Sequence, residues 1–458
     1  MVMLSDWPWR HWAKITPDRQ ALVAGKQRLS WFRLAQKVES LASGFSCQGV
    51  HPGSGVVLKA RNSEQAVIAY LALLQCGGRL LPLNPQLPVE QNQALLPRLN
   101  IDYVLTLSGE PIPGFTALAL QPLSGLIRHE WEPEAIATLT LTSGSGGLPK
   151  AAAHSFRAHL ASARGVMEKM QFTADDCWLL SLPLFHVSGQ GILWRWLSAG
   201  AGLAIPGDLP LHQALENCSF ASLVPTQLWR LLQQPRLPLR LQNILLGGTA
   251  IPEPLTREAE KQGIACWCGY GMTETASTVA AKRADSRPGV GQALAGHQIR
   301  LRAGEVQLKS EALASGYWQQ GELLPLAVDR GWFTTRDGGC WMQDELALTG
   351  RLDNQFFSGG EGVQPEQVEA ILLTHPDVAQ AFIIPAEDEE YGHRPVALVK
   401  LKTELSLVAL AEWAREKLAG FQRPVGWYLL PDIDSGGIKV SRHRLTEWVA
   451  EQRQSKEG

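Results

Sequence analysis

Thr142-Ser-Gly-Ser-Gly-Gly-Leu-Pro-Lys150 packs three hydroxyls, three glycines and a lysine into nine residues. Glycines let backbone N–H groups close around an anion, hydroxyls add donors, and lysine brings charge. Just upstream, residues 136 to 142 alternate apolar and polar side chains with the period of a strand. A strand running into a glycine-rich cationic loop is a phosphate-handling arrangement. Gly and Ser also mark ordinary surface turns, and composition alone does not separate the two readings. The loop is not of Walker type: Pro149 precedes the lysine, and Ala151 stands where a magnesium-binding hydroxyl would follow. Helical spacing resumes only after Ser155, a fitting N-cap, with Phe156, Leu160, Ala163, Met167 and Met170 at steps of four and three. The stretch therefore predicts a mobile cover over the outer phosphates of a nucleotide.

Outward from this loop, 458 residues predict two or three packed units. Hydrophobic content of 45% against 19% charged describes a globular chain rather than a disordered one. A net charge of −2 gives no electrostatic case for nucleic acid or an anionic membrane, and it is compatible with a homo-oligomer. The first residues lack a basic segment followed by an apolar one, so no signal peptide is expected. The most apolar window, near 190–205, contains Arg195, so no membrane insertion is expected. Seven scattered cysteines suit free thiols in the cytoplasm. Cys266 and Cys268 have no nearby partner set for zinc and read as core residues.

Strand-like runs (56–60, 179–182, 243–246) alternate with helical ones over the first 350 residues, as α/β layers do. Gly350 to Pro365 is glycine-rich and reads as a linker. Beyond it, Pro365 is placed for the first turn of a helix carrying Val368, Ile371 and Leu372. Strands are expected at 378–384, 396–401 and 425–430, with a helix capped by Ser406 and a polar terminal helix. The fold class predicted is α/β, with a large N-terminal domain of layered sheets and helices (1–352). A small, mobile α+β C-terminal domain (353–458) follows.

Taken together, the motifs resemble the adenylate-forming superfamily of acyl-CoA ligases, adenylation domains and firefly-type luciferases, over nearly the whole chain. Thr142, Ser143, Gly144, Ser145, Gly146 and Lys150 stand in its phosphate loop, although Gly146 replaces a usual threonine. Asn243-Ile-Leu-Leu-Gly247-Gly248-Thr249-Ala250 resembles the strand and turn beneath the adenine. Gly269-Tyr270-Gly271-Met-Thr273-Glu274 matches the signature in which tyrosine flanks the adenine, threonine contacts the α-phosphate and glutamate holds Mg2+. The resemblance also implies that Asp337 binds the ribose hydroxyls, a task suited to a carboxylate acceptor. Arg351 would reach the ribose or phosphates, and Asp353 would be the pivot between domains. Asn354 follows it where an acid is frequent. The C-terminal Lys-Val-x-Arg motif, Lys439 to Arg442, supplies the adenylation lysine, with Ile438 inserted between it and Gly437.

The resemblance implies ATP, Mg2+ and CoA as reactants or cofactors, and a small carboxylic acid as substrate. Residues 183–196 match the segment lining the acyl pocket, which places His186 at the pocket wall or thiol tunnel, or as a satisfied core histidine. Arg195 lies between Trp194 and Trp196. Periodicity alone favours an arginine that snorkels to solvent; membership of the pocket favours a buried cation selecting a second carboxylate. Trp194 and Trp196 would pack on an aromatic ring or simply in the core. With Ser358-Gly-Gly-Glu361 and the short overall length, the pattern points to the branch that activates an aromatic dicarboxylate. Ser188, Arg195, Ser222 and Thr249 would line that pocket. Another aryl- or acyl-CoA ligase, or an enzyme loading a carrier protein, stays open.

Overall fold

The computed structural model describes residues 4–125, 129–142, 150–248, 251–358, 361–431 and 440–457, without side chains beyond 453. The chain divides into two compact units, Met1–Ile299 with Leu308–Phe333, and Arg300–Gln307 with Thr334–Gly458.

The larger unit is built on two mixed sheets. A nine-stranded sheet runs in the order Gln292–Ala293, Ser277–Arg283, Ala265–Met272, Asn243–Leu246, Phe220–Leu223, Cys177–Leu179, Gly202–Ile205, Gln20–Ala24 and Gln27–Ser30. Neighbours from Ala265–Met272 to Gln20–Ala24 are parallel, and antiparallel strands finish both edges. The eight-stranded sheet runs Glu322–Pro325, Gly316–Gln319, Lys150–Ser155, Ile136–Thr142, Arg79–Leu83, Gly55–Lys59, Tyr103–Thr106 and Thr116–Ala117. Its parallel strands Gly55–Lys59 and Arg79–Leu83 are buried at every residue, as strands covered on both faces must be. The expected strand at 179–182 is shifted: pairing covers Cys177–Leu179, and Ser181 instead turns its hydroxyl to the Leu179 carbonyl.

The Ser155 cap forms as its sequence position predicts, accepting from Ala158 N–H at 3.2 Å and opening the Phe156–Met170 helix. That helix packs on Val187–Ala199, with His159 stacked on Trp194 at a centroid distance of 4.9 Å. Trp196 stacks on Trp31 and donates its indole N–H to the Ala21 carbonyl, so both tryptophans belong to the core.

Behind this packing lie two buried histidines. His159 Nε2 and Thr138 Oγ1 are 2.7 Å apart, and the His154 ring lies 5.2 Å from that of His159. Burial pushes the His154 pKa down to about 4, and burial together with the neighbouring His154 holds His159 well below its ordinary range. Below pH 6.5 the unfolded chain binds a proton that native His154 refuses until about pH 4. Stability is therefore full above pH 6.5 and falls toward pH 4, by about 3 kcal/mol for this one group. His154→Leu is expected to flatten the pH dependence of Tm across that window; an unchanged slope would show that other groups carry it.

In the smaller unit, Val378–Asp388 and Gly392–Leu401 pair as a long antiparallel hairpin, joined by Phe356–Ser358, Glu361–Val363 and a parallel Gly426–Leu429. Helices Pro365–Leu372, Leu407–Arg415 and Arg442–Glu457 accompany the sheet, and Ser406 caps the second through Ala409 N–H. Residues 350–365 are not a simple linker. Phe356 pairs with Val363 and both are buried, so the glycine-rich run contains a strand pair, preceded by a 3-10 turn at Leu352–Asn354. Upstream, Trp332–Met342 pairs with Glu345–Arg351 and sets Asp337 opposite Arg351.

Candidate active site

The nucleotide motifs of the larger unit fall at strand ends. Thr142 closes one strand and Lys150 opens its antiparallel neighbour, and the two are Cα partners at the neck of the glycine loop. Gly247 and Gly248 follow Asn243–Leu246, next to the strand that carries Gly269, Tyr270 and Gly271. Ligand crevices of open α/β sheets lie beyond such carboxyl ends. Tyr270 is buried, whereas Thr273 and Glu274 are half-buried in the 3-10 turn that follows. Gly271 is required here, because an added Cβ would lie 1.9 Å from the Ser277 carbonyl oxygen. Ala276 and Ser277 then take positive φ angles of 55° and 150°, backbone states that side-chain-bearing residues rarely adopt. Ser143, Gly144, Ser145, Gly146 and Thr249 lie outside the described residues.

The segment expected to line the acyl pocket forms the Val187–Ala199 helix, buried from Gly189 to Leu197. His186 is its N-cap residue, half-buried beside Phe185, and Ser188 sits in the first turn, also half-buried. Arg195 does not snorkel. It is 1% exposed, donates from Nη2 to Ser277 Oγ at 3.1 Å, and lies over the Trp178 ring at 4.9 Å. No acid pairs with it among the described residues, and its Nε–H has no acceptor there. Burial pushes its pKa down to about 9, which leaves it charged at neutral pH. The helix contributes Gly191 beside it; a Cβ there would meet Ser277 Oγ at 2.8 Å and Arg195 Nη2 at 3.1 Å. Ser222 is likewise buried, its hydroxyl without a partner among the described residues. A buried charge without a counter-ion is costly, so the position is chemically suited to receive an anion.

The smaller unit gathers Asp337, Arg351 and Asp353. Arg351 grips Asp353 through two bonds, Nε–Oδ1 at 2.9 Å and Nη2–Oδ2 at 2.7 Å, while Nη1 reaches Asp337 Oδ1 at 3.3 Å. The Asp353 hydrogen bond is the main force raising the Arg351 pKa, and the same bond holds Asp353 below the ordinary carboxylate range. A cleft of about 320 Å³ beside them is lined by Glu305, Thr334, Arg336, Leu352 and Asp353. Lys439 lies outside the described residues, but the arginine of its motif is anchored. Arg442 donates to the Ile383 carbonyl at 2.8 Å and pairs with Glu369 at 2.7 Å and Glu366 at 3.3 Å. Glu366 also accepts from Asn354 and Gln364, and Gln364 donates to the Arg351 carbonyl. Asn354, a departure from the usual acid, is thus a donor to a glutamate that already meets Arg442.

Two residues here escape sequence reading. Ser277 is the hydrogen-bond partner of Arg195 across 82 positions, and Tyr317 donates to Glu274 across 43. Neither stands in a pattern whose local spacing reports the contact.

Comparison with known proteins agrees with this layout. The AMP-binding enzyme family matches residues 9–318, and the AMP-binding enzyme C-terminal domain matches residues 367–436. A 2-succinylbenzoate–CoA ligase of Salmonella typhimurium is 53% identical over 452 residues, covering 98% of this chain and 99% of the relative. The R195K variant of E. coli MenE with bound OSB-AMS superposes with a TM-score of 0.91 at 49% identity, covering 98% of this chain and 99% of that one. MenE from Bacillus subtilis in complex with ATP and magnesium ion gives a TM-score of 0.86 at 26% identity, covering 93% and 96%. With its glycine loop, its Tyr270–Glu274 turn and its C-terminal motif in order, the chain belongs to the AMP-binding enzyme family.

Proposed function

We propose that this chain is a 2-succinylbenzoate–CoA ligase of menaquinone biosynthesis, adenylating the acid with ATP and passing the acyl group to CoA. The observation that carries the substrate is Arg195, a buried cation without an acid partner among the described residues, on the helix of the acyl-pocket segment. A full-length relative of that name at 53% identity supports the same reading. The seven cysteines are unpaired, which suits the cytoplasm.

A carboxylate is a poor acyl donor because its leaving group would be oxide. Attack of its oxygen on the α-phosphorus of ATP forms a mixed anhydride with AMP and expels pyrophosphate. That step gathers the charge of the carboxylate and the phosphates in one small volume. Thr273 and Lys439 offset it by hydrogen bonding and charge at the α-phosphate, and Lys150 serves the outer phosphates. Glu274 presents a hard oxygen ligand, half-buried and with one carboxylate oxygen engaged among the described residues, which fits magnesium. When bound, the ion would neutralise charge on the triphosphate. Tyr270 flanks the adenine and Asp337 receives the ribose hydroxyls. Ser188, Ser222 and Thr249 border the acid, with Arg195 on its ring carboxylate. In the second half-reaction the CoA thiolate attacks the acyl carbon, AMP leaves, and a thioester forms. His186 borders the thiol's path. Asp353 is the hinge about which the residues that follow it turn between the two steps, withdrawing Lys439.

The test is mass spectrometry of products formed with ATP, magnesium, CoA and a panel of acids including o-succinylbenzoate and benzoate. A CoA thioester from o-succinylbenzoate alone is the expected result. AMP formation with a different acid would retain adenylation and discard the substrate, and an adenylate that no thiol but a carrier protein's resolves would discard CoA.

A further inference from the structure

A single phenol stands between the lysine that ends the glycine loop and the carboxylate of Glu274. Tyr317 Oη–H donates to Glu274 Oε1 at 2.8 Å, and the Lys150 ammonium lies over the same ring, 5.0 Å from its centroid. Among the described residues Lys150 and Glu274 form no ion pair with each other. The phenol is placed by a strand rather than a loop. Tyr317 lies in Gly316–Gln319, antiparallel to Lys150–Ser155, with its Cα opposite Ala152. The residues leading into that strand fasten both flanks: Ala314 N–H donates to the Glu274 carbonyl at 2.7 Å, and Ser315 N–H to the Ala153 carbonyl at 2.8 Å.

A long lysine and a glutamate around one side chain would, left alone, pair and cancel one another. Each would then have less charge for a metal–triphosphate. Tyrosine prevents this with a neutral donor. It fixes the direction of the Glu274 carboxylate by holding one oxygen, and because it carries no charge it does not repel a cation from the other. An arginine or lysine in its place would do so. The ring face holds the ammonium by its quadrupole without neutralising it. A cation above the ring also draws electron density from the phenol, which strengthens the O–H donor facing Glu274.

We propose that Tyr317 is a positioning residue that keeps Lys150 and Glu274 apart and aims the carboxylate at the metal. This rests on the reading that Glu274 holds magnesium and Lys150 meets the phosphates. The test is Mn2+ binding to the complex with α,β-methylene-ATP, followed by electron paramagnetic resonance. Tyr317→Phe retains the ring and strand and removes only the donor. It is expected to weaken Mn2+ binding about ten-fold, the scale of a lost hydrogen bond to a charged group. Glu274→Gln should weaken it further, and adding Tyr317→Phe to Glu274→Gln should cost nothing more. Tyr317→Leu should weaken nucleotide binding as well, since Lys150 is then free to fall onto Glu274. Thioester formation from supplied acyl-adenylate should stay at the wild-type rate in Tyr317→Phe, which separates positioning from misfolding. Wild-type Mn2+ binding in Tyr317→Phe, with Glu274→Gln impaired, would overturn the proposal alone. Wild-type binding in Glu274→Gln would overturn the metal assignment and the proposal with it.

Discussion

Arg195→Ala is expected to raise the KM for o-succinylbenzoate by roughly 30- to 1,000-fold, the equivalent of about 2–4 kcal/mol for a desolvated charge pair. The guanidinium is enclosed, held by one serine and one indole face, and its charge meets no acid among the described residues. A carboxylate arriving there exchanges its water for a donor already stripped of its own. An acid lacking the ring carboxylate should lose little on the same substitution, because it never made the contact. Equal losses for both acids would mean that Arg195 shapes the pocket rather than recognising charge, and an unchanged KM would put recognition elsewhere. Arg195→Met should also raise the Tm of the ligand-free protein, since removing an uncompensated buried charge relieves a penalty that remains several kcal/mol even after relaxation. A variant that is more stable and less selective would fit a residue retained for substrate recognition.

Lys439→Ala is expected to abolish adenylate formation, a loss of about a thousand-fold or more from removing a cation at the developing charge. Thioester formation from supplied acyl-adenylate should persist. On the proposed reading the two half-reactions share one chain but not this lysine, and pyrophosphate release and CoA consumption measure them separately. Equal loss in both would remove the account in which the lysine is used once and withdrawn. Arg442 offers an internal control. Its guanidinium is tied to Glu369, Glu366 and the Ile383 carbonyl three positions after the lysine. Arg442→Ala should therefore lower adenylation in the same direction while leaving the chemistry of Lys439 intact. If it instead slowed both half-reactions equally, the anchor would serve the fold of the smaller unit.

The elements that carry chemistry were legible where a side chain acts through its neighbours in sequence. The strand 136–142, the Ser155 and Ser406 caps and the helix begun by Pro365 all appear, because each depends on local period or local hydrogen bonds. The linker expected over residues 350–365 holds a strand pair instead, because glycine content reports turns but not the pairing of Phe356 with Val363. Arg195 shows the same limit from the other side. Its apolar neighbours favour snorkelling on a surface helix, yet Val187–Ala199 is covered around the arginine, and only tertiary packing decides where the guanidinium ends. Tyr317 had no signal at all, since its partners Glu274 and Lys150 come from other strand ends.

The division of the chain bears on how the enzyme can be dissected. The smaller unit is not one contiguous piece: it takes Arg300–Gln307 and everything from Thr334 onward. A fragment begun at Asp353 would leave behind both Asp337 and Arg351, and with them the bidentate grip on Asp353 itself. One begun at Thr334 would still lack Val306, whose carbonyl accepts the Thr335 hydroxyl, and Glu305, which receives the Arg336 N–H. Splitting the enzyme into separately expressed halves therefore calls for grafting the 300–307 segment onto the C-terminal half, or for permuting the chain so that both pieces travel together.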